Sequence, residues 1–298
     1  GTNALGGQTT NIGGYKNIMI GTSAGLVTNS AMNVGIGYEA LKANLVGSLV
    51  AIGDSALLTN TYGTGCVAVG ADALRTNSVG VRNTAVGNSA LKTTTVYNDN
   101  TAVGYDALKV ANGGHYNTAV GSYAGDTITT GASNTAVGYD ALGACTTSSA
   151  NVAVGAWAGS SITTGDARLT AVGFRALEAV TTATQCTAMG QYAANLITTG
   201  GYNTCIGAYA GNAITTGESN ICIGYGTDPS ASDSNVQIVI GAGITGGEDN
   251  QFTFGKTSNL VQNEFDTDAN WTRTSDIRKK RDIKDDTLGL EFINNLRT

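Results

Sequence analysis

Asn117-Thr118-Ala119-Val120-Gly121 is followed, seventeen residues on, by Asn134-Thr135-Ala136-Val137-Gly138. This pair decides the fold. With the closing glycine as origin, the unit recurs at Gly21, Gly37, Gly53, Gly70, Gly87, Gly104, Gly121, Gly138, Gly155, Gly173, Gly190, Gly207, Gly224 and Gly241. The spacings are 16, 16 and then 17, with a single 18 between Gly155 and Gly173. The residue before the glycine is Ile, Val or Met in every copy, and the residue three before it is Ile, Val or Thr. Between them stands a small residue in most copies, such as Ala51, Ala85, Ala119, Ala153, Cys205 or Cys222. Alternation of branched and small side chains with period two predicts a short strand, large positions on one face and small ones on the other. The glycine allows the sharp corner that ends it.

Working outward, the residue four before the glycine is often Asn (Asn17, Asn33, Asn83, Asn100, Asn117, Asn134, Asn151, Asn203, Asn220). Stacking would align these amides into a ladder, each bonded to its neighbours above and below. The third residue after the glycine is Ala in most copies, from Ala24 to Ala210, followed by Leu (Leu41, Leu57, Leu108, Leu142) or Gly (Gly25, Gly125, Gly159, Gly211). A variable polar stretch follows, often Thr-Thr-Gly as at 129–131 and 215–217, which is turn chemistry. Seventeen residues fit one coil of a narrow roll with two short strands and two turns. Fourteen coils at about 4.8 Å stack to roughly 65 Å. The expected fold is all-β, a parallel β-roll or β-solenoid. So thin a roll has a weak interior, and burying more surface around a three-fold axis would offset the chain entropy, which predicts a homotrimer.

The remaining composition fits a fibre. There are 42 Gly, one Pro and 13% charged residues, with no collagen period and too much apolar content (41%) for simple disorder. A net charge of −6 argues against nucleic acid as partner. No apolar run is long enough to span a membrane, so no membrane insertion is expected. The chain starts at Gly1 with neither initiator Met nor signal peptide and reads as a piece of something longer. The five cysteines (Cys66, Cys145, Cys186, Cys205, Cys222) lack a C-x-x-C pair and mostly replace Ala or Asn of the repeat, so they read as buried small residues. With one histidine, His115, in an expected exposed loop, no metal and no cofactor are expected.

The Asn-Thr-Ala-Val-Gly units resemble the head repeats of trimeric autotransporter adhesins and, more closely, the repeat arrays of phage and algal-virus tail-fibre proteins. The similarity covers residues 11–241 or so. It implies a trimeric β-roll fibre and specifies no receptor.

Three regions are expected: a repeat shaft over 1–241, a β neck over 242–274 and a C-terminal piece over 275–298. The neck gathers Phe252, Phe254, Phe265 and Trp271, and 249–255 and 260–265 alternate like short strands. From Arg273 the chain turns basic, and Leu290, Ile293 and Leu296 form the apolar stripe of a helix capped by Asp285 or Asp286. The string Ser275-Asp276-Ile277-Arg278-Lys279-Lys280-Arg281-Asp282-Ile283 resembles the opening of the endosialidase-type intramolecular chaperone domain. That resemblance implies assistance to trimerisation and self-cleavage at Ser275–Asp276 by a Ser275/Lys280 dyad, Lys280 acting as base. Lys279 stands where the family more often has Leu, and only the first helix of such a domain is present. The plainer alternative is a structural junction with a charged, solvated helix.

Apart from that self-cleavage, no enzyme is expected. Asp106, Asp126, Asp140 and Glu218 sit singly at turn positions, unlike the paired carboxylates of glycosidases. Trp157 and the tyrosines just after the corner (Tyr38, Tyr105, Tyr139, Tyr225) would make an outward aromatic row, either for glycan stacking or, the favoured expectation, to shield a trimer seam. Three functions follow. The first is a structural shaft of a virion tail or capsid fibre, extracellular, serving host-surface attachment, with a host receptor or glycan as outside partner. The second is a bacterial cell-surface adhesin head, which would need a membrane barrel or coiled-coil stalk that these 298 residues do not contain. The third is an ice-binding solenoid displaying Thr84, Thr101, Thr118 and Thr135, disfavoured because those threonines share a strand face with Ile18, Val34 and Ile238, which suggests that this face is buried in the interior.

Overall fold

A computed structural model describes residues 16–266 except 29, 112–113 and 164–166. The chain falls into two compact units, Gly1–Gln262 and Asn263–Thr298. The first is a parallel β-solenoid. Sixteen strands form one sheet in strict chain order, from Ile18–Ile20 to Asn259–Glu264. Register is kept coil on coil: Thr118 faces Thr135, Ala119 faces Ala136 and Val120 faces Val137. The ladder continues beyond Gly241, where Ile238–Ala242 pairs in parallel with Gln251–Lys256 and sets Ile238 on Phe252 and Ile240 on Phe254. No helix occurs among the described residues, and the expected C-terminal helix lies outside them.

The small residue of each strand points inward and the branched pair points out. Ala85, Ala102, Ala119 and Ala153 are fully buried, whereas the Thr and Val on either side of them are half-exposed or exposed. This corrects the expectation that the branched face is interior. A seventeen-residue coil brings its opposite walls so close that the inward place on the strand wall goes mostly to Ala or Cys; Val239, near the end of the stack, is the largest side chain fully buried there. The opposite wall supplies the volume: Leu41, Leu57, Leu74, Leu91, Leu108, Leu142 and Leu177 are all fully buried. Each contributes about 1.5–3 kcal/mol by leaving water.

Where that Leu is replaced by glycine, the space is filled from within the same coil. A Cβ on Gly125 would stand 2.8 Å from Ile128 Cδ1 and 3.2 Å from Leu108 Cδ2; at Gly159 the corresponding distances to Ile162 and Leu142 are 2.9 and 3.2 Å. Leu on the fourth residue after the corner, or Ile on the seventh, thus fills the same part of the core.

Those leucines lie in the left-handed region, at φ 47° for Leu57, 49° for Leu74 and 48° for Leu108. Two further positions per coil share this conformation, exemplified by Ser89 (φ 57°) and Arg82 (φ 56°). Left-handed backbone costs an L-residue roughly 1–2 kcal/mol. It also turns the N–H along the stack: Leu108 donates to Ala124 O at 3.0 Å, Ser89 to Ala71 O at 2.9 Å and Arg82 to Thr64 O at 2.9 Å. The cost is offset by a backbone hydrogen bond between coils at each such position. At the corner itself nothing but glycine fits. Gly121 has φ +138°, and a Cβ there would lie 2.4 Å from Gly138 O.

The asparagine column differs from the simple amide ladder expected. Asn117 Oδ1 accepts from the Asn134 backbone N–H (2.9 Å), and Asn117 Nδ2 donates to Gly131 O (2.9 Å). Each amide therefore staples the backbone of the next coil at two points, and amide-to-amide bonds are added only locally, as from Asn151 to Asn134 and from Asn220 to Asn203. A second column, seven residues after the corner, does form an amide ladder: Asn77 donates to Asn60 Oδ1 (2.8 Å), Asn60 to Asn44 Oδ1 (3.0 Å) and Asn44 to Thr28 Oγ1 (3.2 Å). Among the described residues, the second strand expected in each coil is found beside this column alone, at Val27–Thr28, Ala43–Asn44 and Thr59–Asn60. Elsewhere single backbone bonds between coils, such as Thr93 N–H to Lys109 O and Thr129 N–H to Thr146 O, take the place of that ladder.

Candidate functional site

Two surfaces of the solenoid carry chemistry beyond holding the coil together. The first is the outward strand face. Its two columns, three residues and one residue before each corner, run from Ile18 and Ile20 to Phe252 and Phe254, and none of their members is buried. Val120 is 38% exposed and Met189 44%, on a face that holds only Thr, Val, Ile, Met and Phe. Thr84, Thr101, Thr118 and Thr135 lie in register on it.

The second is a ridge on the turn just after the corner. Tyr105, Tyr123, Tyr139, Trp157, Phe174, Tyr192, Tyr209 and Tyr225 follow one another over eight consecutive coils, with neighbouring ring centroids 5.3–6.0 Å apart. The ring stands on the first residue after the corner in some coils and on the second in others. Where the two placements alternate, rings meet edge to face, as for Trp157 and Phe174 at 88°. Where two successive coils use the second position, Tyr192 and Tyr209 stack at 18°. Both geometries suit the ring quadrupole. Arg175 lies 5.1 Å from the Trp157 ring centre and 5.4 Å from that of Phe174. Reading single positions found Tyr105, Tyr139, Trp157 and Tyr225; Tyr123, Phe174, Tyr192 and Tyr209 emerge when both residues after the corner are scanned together. Tyr38 stands at an equivalent place, 54% exposed and several coils away from this run.

Polar side chains share the ridge. Toward the start of the chain they pair as ions: Lys42 with Glu39 (2.5 Å), Lys92 with Asp72 (2.9 Å) and Lys109 with Asp106 (2.9 Å). Asp106, Asp126 and Asp140, which look scattered in sequence, fall on three consecutive coils beside the rings. Burial, then the carboxylates of Asp140 and Asp106, pushes the Asp126 carboxyl up to about 6. Burial also raises Asp140. Asp126 and Asp140 form no ion pair among the described residues.

The other sequence candidates hold structural places. All five cysteines are buried and unpaired. Burial pushes the Cys145 thiol up to about 11, and the hydrogen bond with Cys222, then burial, raises Cys205 well above the usual thiol value. These are not reactive thiols. His115 is half-buried rather than exposed: its Nδ1 accepts from the Asn98 N–H (3.1 Å) and its ring meets Tyr97 edge-on. Glu218 is exposed, and its N–H donates to Asn235 Oδ1. No group of His, Cys, Asp or Glu able to hold a metal occurs among the described residues. Ser275, Asp276 and Lys280 lie outside the described residues, as do Trp271 and the chaperone-like segment. Comparison with protein-family models, curated proteins and solved structures finds no match to this chain, which stands here as a β-solenoid repeat protein.

Proposed function

We infer that this chain is the shaft of a homotrimeric, extracellular virion fibre, of the tail or the capsid, which carries host-attachment parts outward. The observation that supports this most is the outward strand face. An uncharged surface of this extent, with one column almost wholly Val, Ile and Met and the other divided between these and Thr, marks an interaction surface on a narrow solenoid. A regular repeat makes that surface the same at every level, so a copy that matches one coil matches all. Rotation about an axis along the stack closes the assembly. The test is solution mass by light scattering, with SDS gels of heated and unheated sample. A mass near three times 30.1 kDa and an SDS-resistant band are expected, and Val120→Glu with Val137→Glu should return the chain to single-copy mass. A single-copy mass for the wild type would sink the reading.

The outward threonines favour a second reading, an ice-binding face, because the ground on which it was disfavoured does not hold. A column of in-register Thr side chains is available to water in a single chain. A trimer built on this face covers them, so thermal hysteresis from a single-copy species would favour ice binding, and its absence from a trimer the fibre.

A further inference from the structure

We propose that the aromatic ridge is a binding track for a linear, neutral polysaccharide lying along the stacking direction. Three features of the ridge lead there.

First, polar side chains stand beside the rings: Asp140 follows Tyr139 and Gln191 precedes Tyr192, both with exposed surface. An apolar ring beside an acceptor or amide suits a sugar, whose C–H face packs on the ring while its hydroxyls bond to the neighbour. Tyr105 and Tyr139 are nearly half exposed and Tyr225 is 65% exposed, so these rings are open to such a ligand, and the five others of the run are half-buried with part of each ring in reach of solvent.

Second, the row is unbroken over eight coils with centroid steps near 5.3–6.0 Å. A row of like contacts rewards a polymer over a single sugar, because each further unit binds from an already tethered chain.

Third, the charges select against other occupants. A second copy seated on the ridge would bury Asp126 and Asp140, neither of which has an ion partner among the described residues, and would set like charges face to face. The same carboxylates repel phosphate, which counts against single-stranded nucleic acid despite the stacking surface. They repel anionic polymers for the same reason. A neutral, hydroxyl-rich chain meets no such penalty. The proposal needs the ridge uncovered, and it stands whether or not the strand face joins three chains.

The test is affinity electrophoresis of the full chain in gels containing soluble amylose, hydroxyethyl cellulose or mannan, with polygalacturonate as the anionic counterpart. Trp fluorescence is titrated in parallel. Both Trp157 and Tyr192 have positive φ (57° and 55°), so Asn, which tolerates this region, is the replacement of choice. The wild type should be retarded by at least one neutral polymer and not by polygalacturonate. Trp157→Asn and Tyr192→Asn should each weaken binding roughly tenfold. Tyr62→Asn and Tyr202→Asn, at exposed tyrosines off the ridge, should leave it unchanged. Light scattering of the same variants guards the interpretation: their mass should equal that of the wild type. No retardation by any neutral polymer, retention of binding in Trp157→Asn, or a fall in mass on ridge substitution would each overturn the proposal, the last by making the ridge a seam between copies.

Discussion

The coils closed by Gly37, Gly53 and Gly70 and those closed by Gly121, Gly138 and Gly155 have the same strand, the same corner and the same buried Ala after it. Inside, the early coils carry Asn44, Asn60 and Asn77 where the later ones carry Ile128, Cys145 and Ile162. Outside, the early turns are tied by ion pairs and the later ones by aromatic rings. The frame is therefore set by the corner glycine and the inter-coil backbone bonds, and it accepts either a polar or an apolar filling. What it demands is that like stack on like, because each coil's only close neighbours are the coils above and below.

The largest expected effect should ignore the difference between the regions. Gly53→Val and Gly121→Val place a Cβ about 2.4 Å from a carbonyl oxygen of the next coil in both. Each should cost more than about 4 kcal/mol in denaturant unfolding. A mild effect in one region would mean that its corner is set by something else. Ile128→Ala should cost about 2–5 kcal/mol. Adding Gly125→Leu should recover more than half of that loss, since Leu occupies this position at positive φ in the coil before and in the coil after. Failure to recover would show that the two fillings are not interchangeable.

Asn60→Ala probes the polar filling. It leaves Asn77 Nδ2 and Gly63 O each short of a partner, and should cost about 1–3 kcal/mol. Acid titration probes the later turns. The folded Asp126 carboxyl lies above its unfolded value of 3.8, so the folded state holds the extra proton between these values. The contribution of Asp126 to stability should therefore be full below about pH 4, fall as pH rises to about 6 and stay level above. The span, after allowance for partial exposure, is about 1 kcal/mol. Asp126→Asn should remove it, as read from unfolding midpoints across pH. The smallest effect belongs to the boundary between the fillings, where Asn77 Oδ1 and Thr94 Oγ1 are buried without a partner among the described residues. Thr94→Val should raise stability by less than about 1 kcal/mol, measured by thermal melting.

Much of this was legible in the sequence, and the misses share a cause. Period, strand position and the need for glycine follow from residues that recur in every copy. Which strand face points inward does not follow from alternation: Ala119 and Val120 define two faces equally well, and only the narrowness of the coil assigns the smaller one to the interior. Leu108 at positive φ contradicts its local preference and is repaid by a bond to the next coil, a term invisible to any single-copy reading. The aromatic run escaped full notice because its rings shift between two adjacent positions. The inner Asn column escaped because it spans few coils. Features present in every repeat are read from one repeat; features that depend on which repeat sits next to which are read from the stack.

In-register stacking also has a consequence for heredity. A gene encoding coils of one period can undergo unequal crossing-over, and an exchange between the coding units of two coils of like filling inserts or removes whole turns without disturbing the register of those that remain. Length then varies in steps of about 4.8 Å, so a lineage can lengthen or shorten this solenoid by arithmetic rather than by redesign. The sites least tolerant of such exchange are the junctions of unlike filling, beginning with the one between Asn77 and Thr94.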